Sequence, residues 1–226
     1  MDGLVGSEMC IRDRVIADAV QTVVRKQTEV GVDVVSDGEQ SKISYATYIK
    51  HRLNGFDGDS PRRTPKDLEE YPAFSKRASS SGGVPTYSRP QCVGPISVKD
   101  LKPLEVDLQN FKEALSVSEA TDAFMNAASP GVIAQFQPNQ HYPDHSSYLY
   151  ALADAMKVEY EGIAEAGLVI QIDSPDLALG RHVLFKDQSD EEFVAMAELH
   201  IEALNHALQN IPAEQLRLHV CWGNYQ

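Results

Sequence analysis

The sequence predicts an α/β fold, read as an incomplete (β/α)8 TIM barrel. Three observations carry that expectation. Short apolar runs alternate with amphipathic, helix-period stretches along the 226 residues, which is the pattern of a parallel sheet with crossover helices. The run GLVIQID (167–173) is almost wholly apolar and short, as a strand buried on both faces should be. Ionisable residues gather at the ends of the strand-like runs: Glu39, Asp173, and His219 with Cys221. In a barrel that end is the functional rim.

Taken in order, residues 15–30 place Ile16, Ala19, Val20, Val23, Val24 and Gln27 on one helical face, with Gly31 as the stop. VDVVSDGE (32–39) is a short strand with a polar end. SYATYIKHRLNGF (44–56) is expected to be helical, ended by Gly55. A long insertion near 57–88 is rich in Pro, Ser, Gly and charge. PQCVGPISV (90–98) reads as strand, and 107–115 and 119–127 as helices. SPGVIAQF (129–136) reads as a strand opened by Pro-Gly. Residues 146–166 form a long helix with Tyr148, Leu149, Leu152, Ala155, Met156 and Tyr160 on or near one face. Ser189 and Glu192 make a capping box for the next helix, and QLRLHVCW (215–222) is the last strand. Residues 1–14 show no sustained period and include MCIRDR, similar to translated linker at the ends of metagenomic reading frames. They are read as a non-native or disordered leader, leaving 15–226 as the partial barrel.

Composition excludes several classes. The net charge is −13, so phosphate backbones and anionic lipid are repelled and no nucleic-acid or membrane partner is expected. No apolar run reaches the roughly 18 residues that span a bilayer, and no basic stretch followed by an apolar one at the N-terminus suggests secretion. The cysteines, Cys10, Cys92 and Cys221, are distant and odd in number. That argues against a disulfide framework and for a reducing cytoplasm. No G-x-G-x-x-G or P-loop pattern occurs, so a nucleotide-binding sheet is unsupported.

His219 and Cys221 are two apart. On a strand they point to one face, and zinc accepts an imidazole nitrogen with a thiolate. Two ligands do not make a site, and a packed strand-end histidine beside a buried cysteine explains the spacing as well. Asp173 could equally cap a loop, and Glu39 could be a solvated turn residue. His141 and His145 flank a Pro-Asp loop and are read as incidental surface histidines. Lys42, Tyr45 and Tyr48 follow Glu39 and either line the site or pack.

Three strings carry a family resemblance. LRLHVCWGN (216–224) resembles the zinc strand of cobalamin-independent methionine synthases, VIQIDSPDL (169–177) their I-Q-I-D-E-P-A-L strand, and DVVSDGE (33–39) their D-x-x-x-H-G-E strand. SPGVIAQF matches the position of a pocket-lining strand. The order and spacing are those of the family, from Val15 to Gln226. The resemblance implies zinc held by His219 and Cys221, with a carboxylate and a second cysteine supplied beyond Gln226. It implies that Asp173 and Glu39 bind the amino group of a thiol amino acid such as homocysteine. A methylated folate is the implied methyl donor.

The chemistry suits those groups. A thiol with pKa about 8.5 is mostly protonated at neutral pH, and zinc makes it a thiolate able to attack a methyl group. The carboxylates would grip an ammonium by charge-assisted hydrogen bonds. Two departures bear on substrate: Ser174 replaces a family glutamate and Asp37 a family histidine. A zinc-dependent alkyl-thiol transferase of the epoxyalkane–coenzyme M type is therefore an alternative. So is a non-catalytic fragment, because the resemblance places the first strand before Val15 and the last two strands, with a catalytic histidine, after Gln226. A metal-free barrel of the uroporphyrinogen decarboxylase type is disfavoured by H-x-C. The isolated chain is expected to be inactive and prone to aggregate through open sheet edges.

Overall fold

Four parallel strands form the central sheet, in the order β1 (Val34–Ser36), β4 (Asp122–Ala128), β5 (Val169–Asp173), β6 (Leu216–His219). The computed structural model describes residues 2–60, 66–81 and 89–221. An antiparallel ribbon, β2 (Leu53–Asp57) with β3 (Gln91–Val98), sits within the long connection from β1 to β4. Helix α1 (Asp2–Glu29) precedes the sheet, so its backbone includes the segment read as a leader. Helices α2 (Lys66–Glu69) and α3 (Pro72–Ser81) lie inside the insertion. Then come α4 (Lys102–Ser116), α5 (Pro130–Phe136), α6 (His145–Glu165), α7 (Gly180–Val183) and α8 (Asp190–Leu208).

Helices α4, α6 and α8 are the long connections between successive parallel strands, α1 packs on α4, and α6 packs on α8. The expected α/β alternation is therefore present. Among the described residues the parallel sheet has four strands, which is an open arc.

The core follows the strand periods. In β5, Ile170 and Ile172 are fully buried, as are Phe111, Met125, Ile133, Leu149, Leu152 and Ile163 around them. Each such side chain contributes about 1.5–3 kcal/mol by leaving water. Tyr160 is also wholly buried, and its hydroxyl donates to the Ala128 carbonyl at 2.6 Å, tying α6 to the end of β4. The expected cap of α8 is present, and α6 has one of its own. Asp144 accepts from the Ser147 N–H at 2.7 Å at the start of α6, and the Ser189–Glu192 capping box opens α8.

Three local expectations are corrected. Residues 44–56 are not one helix: a 3-10 turn, Thr47–His51, gives way to β2. The reason is Gly55, with φ +97°, at a bulge in the ribbon. A Cβ there would meet the Gly94 and Pro95 carbonyl oxygens at 2.8 Å. Residues 119–127 are not helical either. They contain β4, whose Ala123, Met125 and Ala127 are buried at every second position. Alanine favours helix locally, but a two-sided sheet position overrides that preference. SPGVIAQF is helix, not strand. Ser129 is the N-cap, accepting from the Val132 N–H at 3.0 Å, and Pro130 starts the first turn. The strand at this position is β4, one element earlier.

Candidate functional site

The site is built on the C-terminal ends of the four parallel strands. After β1 the chain turns through Gly38 (φ +64°) and Glu39 (φ +54°), and the Asp37 carboxylate accepts the Glu39 N–H at 3.0 Å. A left-handed glutamate is uncommon, and here it turns the side chain into a partly buried setting. Burial pushes the Glu39 carboxyl above its ordinary value. Lys42 opposes that shift, Asp173 and Asp37 add to it, and His219 opposes it. These groups therefore share one electrostatic neighbourhood. Glu39 Oε1 is buried without a hydrogen-bond partner among the described residues. Lys42 donates to the Asn126 carbonyl and lies 4.7 Å from the centre of the Tyr48 ring.

Strand register brings the next groups together. Asp173 stands directly opposite His219 across β5 and β6, and Gln171 stands opposite Arg217. Alternate residues of a strand face the same way, so Asn126 of β4, Gln171 and Asp173 of β5, and Arg217 and His219 of β6 share one face. His219 Nδ1 is 2.9 Å from Asp173 Oδ1. Gln171 Nε2 donates to the same oxygen at 3.0 Å, and Asn126 Nδ2 donates to Asp173 Oδ2 at 3.0 Å. Asp173 is only 5% exposed, whereas the His219 side chain is half exposed. A carboxylate offers about four lone-pair sites, so three protein donors leave room for one more.

Sequence reasoning places Glu39, Asp173, His219 and Cys221 at this rim. The structure brings the first three together. Strand β6 ends at His219, so the same-face argument stops short of Cys221, which is half-buried. Trp222, the last residue of the expected strand, lies outside the described residues. Among the described residues no group of three or more His, Cys, Asp and Glu is arranged to hold a metal. The donor types of His219 and Cys221 fit zinc, and they would supply at most two of its ligands.

Asn126 and Gln171 were missed. Asn126 sits on a strand taken for helix, which hid its direction. Gln171 could have been found from period two, because it precedes Asp173 by two positions.

A second buried polar cluster lies behind the rim. Ser129 Oγ donates to Asp176 Oδ1 at 2.9 Å, His200 Nδ1 is 2.8 Å from Asp176 Oδ2, and His145 Nε2 is 2.9 Å from His200 Nε2. His145 is therefore not an incidental surface residue. Burial first, and then His200, lower its pKa to about 4. The trio resembles a Ser–His–Asp triad by composition only. Ser129 meets the aspartate rather than the histidine, so no base reaches its hydroxyl. Gly131 is required here, because a Cβ would fall 2.1 Å from Asp176 Oδ2.

The chain matches no protein-family model. Curated relatives do match. A methionine synthase of Saccharolobus islandicus (strain Y.N.15.51 / Yellowstone #2) is 30% identical over 210 residues, 92% of this chain and 53% of that protein. A methionine synthase of Saccharolobus solfataricus is 29% identical over 209 residues, 92% of this chain and 52% of that protein. The chain thus spans about half the length of the curated relatives it matches. The structure of a B12-independent methionine synthase from Shewanella sp. W3-18-1 in complex with selenomethionine superposes with a TM-score of 0.67. It is 23% identical, with 92% of this chain and 52% of that one covered, and it attests the shared fold. Over 92% of its length the chain is thus similar to methionine synthases. In this methionine-synthase-like chain the rim of β1, β4, β5 and β6 carries the candidate site. No helix among the described residues is long and apolar enough to cross a membrane.

Proposed function

We propose that the protein containing this chain is a zinc-dependent, cobalamin-independent methionine synthase that methylates an amino-thiol such as homocysteine, with a methylated folate as donor. The four-stranded parallel arc would be part of a closed (β/α)8 barrel. The observation that carries this reading is the meeting of Asp173 and His219 at 2.9 Å beside the charged field of Glu39. One carboxylate thus touches the candidate metal ligand and borders the candidate amine pocket.

His219 and Cys221 would hold the metal, which supplies a thiolate nucleophile at neutral pH when bound. Glu39 and Asp173 would hold the substrate ammonium and so fix the thiol's approach. Glu39 Oε1 has no hydrogen-bond partner among the described residues, and an ammonium would give it one. Two adjacent carboxylates also speak about substrate charge. They attract an amino acid's ammonium and repel a sulfonate-bearing thiol of the coenzyme M type.

The test is methyl transfer by the full-length protein from a methylated folate to homocysteine. Glu39→Gln removes one charge-assisted hydrogen bond, and the homocysteine KM is expected to rise by about 10–100-fold, as a loss of roughly 1.5–3 kcal/mol implies. Absence of homocysteine methylation by the wild-type protein, or an unchanged KM in the variant, would contradict the assignment.

A further inference from the structure

We infer that Arg217, Gln171 and Asn126 are positioning residues that lock Asp173 onto the Nδ1 proton of His219, leaving Nε2 as the ring nitrogen available to a divalent metal. The inference rests on the proposed metal reading and extends it to residues with no assigned role.

The direction of every bond in the ladder follows from what each group can donate. A guanidinium only donates, and Arg217 Nε lies 2.8 Å from Gln171 Oε1. The Gln171 amide oxygen is thereby fixed toward Arg217. Its NH2 must point the other way, where it donates to Asp173 Oδ1 at 3.0 Å. Arg217 is itself pinned, with its guanidinium carbon 3.5 Å from the centre of the Phe124 ring. Asn126 holds Asp173 Oδ2 at 3.0 Å. The carboxylate is thus gripped at both oxygens from two strands, and it is almost fully buried.

With an amide N–H on each oxygen, the Asp173 carboxylate meets its neighbours as an acceptor. Its third partner, His219 Nδ1, must therefore carry a proton. The imidazole is half exposed, and without this contact its ring would be free to turn and to exchange tautomers. With it, Nε2 keeps its lone pair and faces away from the sheet residues that hold Nδ1. A carboxylate behind a metal-bound histidine is a common outer-shell arrangement, and its loss weakens metal binding by about 10–100-fold. The ladder moves the control point further out, to a glutamine and an arginine that touch no metal.

The experiment is nitrogen-15 NMR of the full-length protein labelled at histidine, metal-free at alkaline pH and then loaded with cadmium-113 as the zinc probe. The metal-free spectrum is expected to show His219 in one neutral tautomer, protonated at Nδ1. The loaded spectrum is expected to show cadmium coupled to Nε2. Gln171→Leu, which changes no charge, is expected to give mixed tautomers and about 10–100-fold weaker zinc binding. An Nε2-protonated His219 in the metal-free wild type, or wild-type tautomer and affinity in Gln171→Leu, would overturn the inference. Uptake of no metal by a wild type that shows the Nδ1-protonated tautomer would instead sink the metal reading and leave the ladder standing.

Discussion

His200 Nδ1 lies 2.8 Å from Asp176 Oδ2, with both side chains almost completely buried behind the rim. The pair is clamped further by Ser129 on the other carboxylate oxygen and His145 on the other imidazole nitrogen. Removing His200 leaves Asp176 Oδ2 buried without its hydrogen-bond partner, at a cost of about 1–3 kcal/mol. His200→Ala is therefore expected to be destabilised in urea unfolding. His206→Ala is a contrast, because its contact with Asp154 is exposed. It should change stability by no more than about 1 kcal/mol. Equal effects of the two changes would contradict the structural role given to the buried cluster.

The raised Glu39 pKa, caused first by burial, sets a pH-dependent stability with a definite sign. Its folded value lies above its unfolded value, so its favourable contribution is fully present in acid below the unfolded pKa. That contribution is lost as pH rises through the folded pKa. Above the folded pKa the ionised, partly buried carboxylate costs stability. Glu39→Gln is expected to have a higher Tm than wild type at pH 7, with the gap closing as the buffer is taken below the ordinary carboxylate range. A variant less stable than wild type at neutral pH would show that Glu39 is compensated within the protein.

The ribbon makes a backbone prediction. Gly55 combines φ +97° with carbonyl oxygens 2.8 Å from any added Cβ. Gly55→Ala should cost about 1–3 kcal/mol by strain alone, with the damage confined to β2 and β3. Gly31 has φ +85° but open space around its Cβ position, so alanine there meets backbone strain without a clash. Hydrogen exchange across β2 and β3 in the two variants distinguishes these effects. Comparable loss of protection in both would contradict the clash.

Much of this was legible in the sequence, for physical reasons that also explain the failures. The β5 run is apolar at every position but Gln171 and Asp173, so its strand character and its polar tip stand out. The start of α8 follows from capping chemistry that the structure reproduces. Residues 119–136 misled because Ala-rich β4 looks helical and Val-Ile after Pro-Gly looks extended. The Ser129 cap with Pro130 at the first turn was the better signal. The strand-end positions of Glu39, Asp173 and His219 were legible because each follows a short apolar run. Asp176 and His200 were not found, since a histidine in mid-helix carries no local mark of the aspartate it meets through tertiary packing. Asn126 was lost with the strand that carries it.

The central claim is that His219 and Cys221 are metal ligands, and the most direct test is zinc content. Full-length wild type, His219→Ala, Cys221→Ser and His145→Ala would be purified without chelator and their zinc measured by plasma mass spectrometry. About one zinc per chain is expected in wild type and in His145→Ala, and substantial loss in the other two. Equal zinc in all four, or none in wild type, would contradict it.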